Sequence, residues 1–308
     1  KEKCILLQFS FNGIKSLTNF KINVSKKQTW LIYGLNGYIG KQLIPYLEKD
    51  TDINFINGKS RVDNIEDVEN EIIEHKPDRI LSLIGRMYGD NIHSINYLED
   101  KSKLYENIND NLYCPLILCL LSQKYNIHLT YFGSACIFSY DDTHTINCEN
   151  GFKDIDKCNF YGSNYVTVKG FTDKIMNMFN TTLNLRIRMT MTSDNSPKNL
   201  LHKIINFDKI HNNPNSMSIL PSLFNIYIDM IKNQYIGTFN FCNKGNITFN
   251  EILELYNDIK KKNKTWTIID DNSRANNYLN IDMLEYLYPD KIIHVKDAII
   301  SLIISYKT

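Results

Sequence analysis

Tyr165 and Lys169 stand at i and i+4 in the run Phe160-Tyr161-Gly162-Ser163-Asn164-Tyr165-Val166-Thr167-Val168-Lys169. On a helix that spacing sets both side chains on one face, one turn apart. An ammonium beside a phenol favours the phenolate, so such a pair can give and take a proton near neutral pH. The same spacing is ordinary on amphipathic helices, and the pair gains meaning from two other stretches. One is Phe132-Gly133-Ser134-Ala135-Cys136-Ile137-Phe138, which puts a hydroxyl and a thiol two residues apart, on one side of an extended segment. Cys136 also reads as a small buried hydrophobe, as free cysteines often are.

The other stretch is Gly34-Leu35-Asn36-Gly37-Tyr38-Ile39-Gly40, spaced GxxGxxG between an apolar strand and a helix. Its glycines allow a tight turn, close approach to a pyrophosphate, and packing of the helix on the strand. The helix N-terminus then faces the phosphates. Gly34, Asn36, Gly37, Tyr38, Ile39 and Gly40 are the cofactor-binding candidates here. Leu83, Gly85 and Met189, at the ends of later strands, join them. After the second strand a NAD-specific fold tends to place an acidic residue for the ribose hydroxyls. This chain has Asn57-Gly58-Lys59-Ser60-Arg61 instead. Lys59 and Arg61 suit a 2′-phosphate, which points to NADP(H), or else they are exposed loop charges.

The elements that must position these groups follow from hydrophobic spacing. Strands are expected at 29–34, 53–56, 79–84, 127–132 and 183–189. Helices are expected at 37–49, 65–74, 105–125 (despite Pro115) and 161–179. This alternation predicts an α/β fold, a Rossmann-like doubly wound parallel sheet. Beyond Thr190, short helices near 197–206, 221–233 and 250–262 surround a strand at 237–241. That part reads as a smaller C-terminal substrate lobe. The expected domains are an extension of unknown role at 1–28, a dinucleotide-binding domain at 29–190, and a mainly substrate-binding lobe at 191–308, partly interleaved with the first.

The chain has 308 residues, a formal net charge of +1, and 43% hydrophobic and 22% charged residues. That near-neutral balance argues against a nucleic-acid surface, and no apolar run approaches a membrane span. The seven cysteines are scattered, without zinc or redox spacing, as expected for reduced thiols in a cytoplasmic protein. His93, His128, His144, His202 and His211 show no metal-ligand spacing, so no metal is expected. The basic run Lys260-Lys261-Lys262-Asn263-Lys264 reads as a solvated helix end.

Taken in order, these motifs resemble the extended short-chain dehydrogenase/reductases. The likeness rests on Ala135-Cys136-Ile137-Phe138, Gly151-Phe152-Lys153, Asn159-Phe160-Tyr161-Gly162-Ser163 and Leu185-Arg186-Ile187-Arg188-Met189. It continues through Pro214-Asn215-Ser216-Met217 and Asn250-Glu251-Ile252-Leu253-Glu254. Together they are similar to the plant-type UDP-4-keto-6-deoxyglucose 3,5-epimerase/4-reductases that make UDP-L-rhamnose, relatives of dTDP-4-dehydrorhamnose reductase. The resemblance covers roughly residues 29–305.

It implies Ser134, Tyr165 and Lys169 as the reductase triad, with serine where plant-type enzymes tend to carry threonine. It implies Cys136 and Lys203 as the acid/base pair of epimerisation, and a one-residue slip would substitute His202 for Lys203. Ser134, Cys136, Asn215 and Arg274 would touch substrate. The implied partners are a nucleotide-diphospho 4-keto-6-deoxy sugar, a separate 4,6-dehydratase that makes it, and a second copy in a homodimer. A reductase acting alone on an epimerised sugar and a GDP-fucose-synthase-like enzyme stay open. So does a non-catalytic NADP-binding regulatory subunit, against which the intact triad argues.

Overall fold

The computed structural model describes residues 27–92, 94–146, 150–269 and 275–306. The expectations for the N-terminal extension and for Arg274 fall outside the described residues, apart from Lys27 and Gln28. In chain order the first elements are β1 (Gln28–Tyr33), α1 (Tyr38–Leu47), β2 (Ile53–Asn57), α2 (Ile65–His75) and β3 (Arg79–Ser82). Next come α3 (Leu104–Ile108), a π-helical turn (Asn109–Tyr113), α4 (Cys114–Tyr125) and β4 (His128–Ser134). Then follow α5 (Asn164–Met176), β5 (Thr182–Ile187), α6 (Leu200–Asn206), β6 (Lys209–His211), α7 (Leu220–Lys232) and β7 (Gly237–Asn240). The last are α8 (Phe249–Lys260), β8 (Thr267–Ile269), α9 (Asp282–Leu287) and α10 (Val295–Ser305).

Six strands form one parallel sheet in the order β2-β1-β3-β4-β5-β7. Period-two alternation covers both faces. Trp30 and Ile32 of β1 enter one core with Leu43 and Leu47 of α1 and Phe224 and Tyr227 of α7. Leu31 and Tyr33 enter another with Val68 and Ile72 of α2, Leu118 of α4 and Met176 of α5. The sheet is therefore wound with helices on both sides. Its switch point falls between β1 and β3, where a crevice opens at the carboxyl ends of the strands.

The strand expected inside the lobe does not stay there. β7 pairs with β5 from Leu183↔Gly237 to Arg186↔Asn240, as the sixth strand of the sheet. The lobe has its own core of Met191, Leu201, Ile204, Ile210, Leu253 and Ile299, and a two-stranded parallel pair of β6 and β8. At the lobe's edge Lys260 Nζ donates to the Tyr306 carbonyl at 2.9 Å, so part of the basic run closes the carboxyl end of α10.

The long helix expected over 105–125 is broken into α3, a π turn and α4, and Pro115 supplies the reason. Proline has no N–H to donate to the carbonyl of residue 111. Thr172 Oγ1 from α5 donates to that carbonyl instead, at 2.6 Å. The π turn also aims Asn111 at the crevice. Its Oδ1 accepts from Arg86 N at 3.0 Å and its Nδ2 donates to Arg86 O at 2.9 Å, which fixes the loop after β3.

Candidate active site

The glycine loop sits at the switch point. Gly34 has φ +85°, in the left-handed region, and a Cβ there would lie 3.0 Å from the Leu83 carbonyl carbon. A Cβ on Gly40 would collide with the Leu35 carbonyl, so α1 can pack on the turn only through glycine. Asn36 and Gly37 are exposed, and α1 begins at Gly37 with no side-chain cap and no acidic residue in its first turn. Its first N–H groups therefore lack the usual side-chain acceptor, which suits a phosphate. Leu83 and exposed Gly85 continue the crevice after β3. These residues fit a dinucleotide.

Two of the expected cofactor residues turn their side chains to the lobe. Tyr38 hydroxyl hydrogen-bonds Thr192 Oγ1 and donates to Asp194 Oδ2 at 3.3 Å, tying the glycine loop to the lobe. Met189 has φ +42° where the chain leaves β5, and its side chain packs against the lobe core. Beyond β2, Lys59 and Arg61 are exposed, and Arg61 holds Asp63 through two bonds of 3.1 and 2.7 Å. The nearby acid, Glu71, is buried beneath the loop. It accepts from Tyr33 hydroxyl at 3.0 Å and from Lys59 N at 2.7 Å.

The sheet's carboxyl edge brings four expected residues together. Ser134 ends β4, and its Oγ accepts from Cys136 N at 3.2 Å, starting a short 3-10 turn that carries the thiol. Ser163 caps α5, and Glu99 accepts from Asn164 N at 2.8 Å, fixing the first turn that bears Tyr165. Tyr165 is buried, and the Ser134 hydroxyl acts on its phenol. Lys169 is buried one turn further along.

The proton chemistry differs from the sequence expectation. Burial first, and then Cys136, push the Tyr165 phenol well above its ordinary value, while the Ser134 hydrogen bond and Arg188 pull it down. Lys169 is not spent on Tyr165. Its ammonium donates to Tyr131 hydroxyl and lies over that ring, 4.6 Å from the centroid. β4 runs beneath α5 and offers Tyr131 as the nearer partner. Tyr165 is therefore a neutral proton donor at rest, and not a phenolate.

Burial pushes Lys169 down to about 8 from 10.5, against the opposing pull of Asp173. Below pH 8 the folded protein bears the cost of a buried charge, and between about 8 and 10.5 the unfolded chain binds the extra proton. Stability from this group therefore rises with pH through that window. Against Lys169→Met, urea midpoints of the wild type should improve as pH goes from about 7 to 10. A gap between the two that stays constant across this range would contradict the buried ammonium.

Lys203 belongs to the lobe. It is half-buried on α6, and burial lowers its proton affinity. Its neighbour His202 is engaged elsewhere, with Nδ1 2.7 Å from Tyr306 hydroxyl. Asn199 caps α6 and donates to Thr192 O, so α6 is joined to the glycine loop through Thr192 and Tyr38.

The Asn215 amide is turned into the protein. It is buried, with Oδ1 accepting from Arg188 and from Asn277 N, and Nδ2 donating to Asn213 O and Asn276 Oδ1. Its amide is fully used inside the protein. Arg188 is the residue the sequence reading passed over. Its Nη1 donates to Cys136 Sγ at 3.1 Å. Two arginines at alternate positions, one in a buried strand and one just beyond it, were the available signal, because each buried cation needs a partner.

No family model matches the chain. It is 30% identical over 288 residues to the bifunctional dTDP-4-dehydrorhamnose 3,5-epimerase/dTDP-4-dehydrorhamnose reductase of Arabidopsis thaliana, covering 91% of this chain and 93% of that protein. The crystal structure of the L780 UDP-rhamnose synthase from Acanthamoeba polyphaga mimivirus superposes with a TM-score of 0.85 at 44% identity, over 90% of this chain and 99% of that one. A trifunctional Arabidopsis UDP-glucose 4,6-dehydratase/3,5-epimerase/reductase is 31% identical over 280 residues, and the match spans 41% of its length. A Rossmann-type sheet with a Ser-Tyr-Lys site defines a short-chain dehydrogenase/reductase. Within that class, the chain belongs to the 3,5-epimerase/4-reductase family related to dTDP-4-dehydrorhamnose reductase.

Proposed function

We propose that this chain converts UDP-4-keto-6-deoxyglucose to UDP-L-rhamnose, by epimerisation at carbons 3 and 5 followed by NADPH-dependent reduction at carbon 4. The observation that carries this reading is the joining of Tyr165 and Ser134, donors for one oxygen, to a thiol two residues from Ser134. A ketone at carbon 4 acidifies the hydrogens on carbons 3 and 5. Cys136 and Lys203 exchange those protons from opposite faces of the ring, and Tyr165 and Ser134 stabilise the enolate oxygen. NADPH supplies the hydride that carbon 4 receives. Tyr165 then protonates the same oxygen, and its raised proton affinity keeps that proton in place until it is needed. One oxyanion site thus serves both reactions.

With NADPH left out and D2O as solvent, the substrate should gain deuterium at both carbons and yield no reduced product. Absence of exchange under these conditions, with reduction intact on an epimerised sugar, would make the protein a reductase alone.

For the cofactor, the exposed Arg61–Asp63 pair is easily exchanged, because surface ion pairs contribute about 1 kcal/mol or less. Arg61 can therefore turn to a 2′-phosphate. Arg61→Ala should weaken NADPH binding about 10- to 150-fold and leave NADH unchanged, since a charged hydrogen bond contributes about 1.5–3 kcal/mol. Equal losses for both cofactors, by fluorescence titration at low salt, would refute the assignment.

The 4-keto sugar has to come from a 4,6-dehydratase, which we place outside residues 27–306. Among the described residues no helix is long and apolar enough to cross a membrane, and the five described cysteines are free. Both facts support a cytoplasmic enzyme. A homodimer is the assembly we expect.

A further inference from the structure

Arg188 is a buried cation that the chemistry above leaves unused. It stands just beyond β5 and is 3% exposed. Nη1 donates to Cys136 Sγ at 3.1 Å, and Nη2 donates to Asn215 Oδ1 at 2.6 Å and to the Ala275 carbonyl at 2.5 Å. Its Nε is buried without a partner. Arg186, two residues earlier, is balanced by Asp173 through bonds of 2.8 and 2.7 Å. Among the described residues no carboxylate balances Arg188 in that way.

A buried charge is costly unless something opposite meets it. Of the three atoms Arg188 holds, the sulfur is the one that can become negative. The other groups facing Cys136 do not compete for that role. Ser134 and Tyr165 are neutral, and the Lys169 ammonium, whose hydrogen bond goes to Tyr131, reaches the sulfur only through its field.

We propose that Arg188 is a positioning residue for epimerisation, whose guanidinium holds Cys136 as the sulfur anion that takes a proton from the sugar ring. In that step the C–H electron pair moves into the enolate oxygen at carbon 4, and the proton moves to sulfur. An ammonium on the opposite face returns a proton to carbon. The field of Arg188 also reaches Tyr165, less strongly than the Ser134 hydrogen bond does. Reduction should therefore suffer less than epimerisation when Arg188 is lost.

The inference rests on Cys136 being the proton-transfer group, but its test needs no substrate. Cys158 is an internal reference. It is half-buried like Cys136, yet its thiol donates to the Phe160 carbonyl at 3.4 Å. With iodoacetamide at neutral pH, followed by peptide mass analysis, wild-type Cys136 should be labelled at least about tenfold faster than Cys158, because the thiolate is the nucleophile. Arg188→Met should slow Cys136 labelling about tenfold, and Arg188→Lys should restore much of the rate. Methionine is apolar and of similar length, and such replacements of buried charges are often tolerated.

A merely structural arginine predicts the reverse. Its loss would loosen the site, and Cys136 would be labelled as fast or faster. Deuterium exchange at carbons 3 and 5 should fall about 100-fold in Arg188→Met, and reduction of an epimerised keto sugar by less than about tenfold. Equal labelling of Cys136 and Cys158 in the wild type overturns the proposal, whatever the variants do. Fast, Arg188-dependent labelling without any exchange upholds the Arg188–Cys136 pair and overturns the epimerase reading instead.

Discussion

Tyr165→Phe should lower NADPH oxidation by about 10²–10⁴-fold, the usual contribution of a positioned general acid. The phenol is buried, holds its proton strongly, and lies beside Ser134, whose hydroxyl acts on it. Phenylalanine keeps the ring and removes only the hydroxyl. The folding cost is that of one hydrogen bond, about 1 kcal/mol. If the glycine loop and the loop after β2 set cofactor affinity, the NADPH dissociation constant should change by less than about threefold. Exchange at carbons 3 and 5 should fall as well, because the enolate loses a donor. Near-normal turnover in this variant would remove Tyr165 from the mechanism.

Cys136→Ala should separate the two activities. Alanine cannot exchange a proton with carbon, so deuterium incorporation at carbon 3, carbon 5 or both should drop by about 10²–10⁴-fold. Ser134, Tyr165 and Lys169 remain, and an already epimerised keto sugar should still be reduced within about tenfold of the wild-type rate. Lys203→Ala should show a related exchange defect if it works on the opposite face of the ring. A Cys136→Ala protein that exchanges and epimerises like the wild type would mean that the thiol only packs.

The parallel sheet was legible because both its faces are covered, so Thr29-Trp30-Leu31-Ile32-Tyr33 and its counterparts read as continuous apolar runs. The glycine loop was legible for a steric reason, since Gly34 and Gly40 stand where any side chain would meet backbone. The strand at Gly237–Asn240 was found but assigned to the lobe, because its partner β5 lies some fifty residues away and pairing leaves no local trace. Pro115 was seen without its consequence, which depends on Thr172 of another helix.

In the site, spacing named Tyr165 and Lys169 and the family resemblance named Ser134 and Cys136, and all four lie at one edge of the sheet. What spacing could not convey was which neighbour each group would meet. Lys169 meets Tyr131 from the strand beneath it, and Asn215 turns inward to hold Arg188. Arg188 stayed invisible because its partners come from the turn after β4, from the 213–215 loop and from residue 275. Those contacts exist only once the chain has folded.

The most direct measurement incubates the wild-type protein with UDP-4-keto-6-deoxyglucose and NADPH and determines the stereochemistry of the product by NMR. One protein with both activities yields UDP-L-rhamnose, inverted at carbons 3 and 5 and reduced at carbon 4. A product reduced at carbon 4 with carbons 3 and 5 still in the D-configuration, or no NADPH oxidation at all, would contradict it.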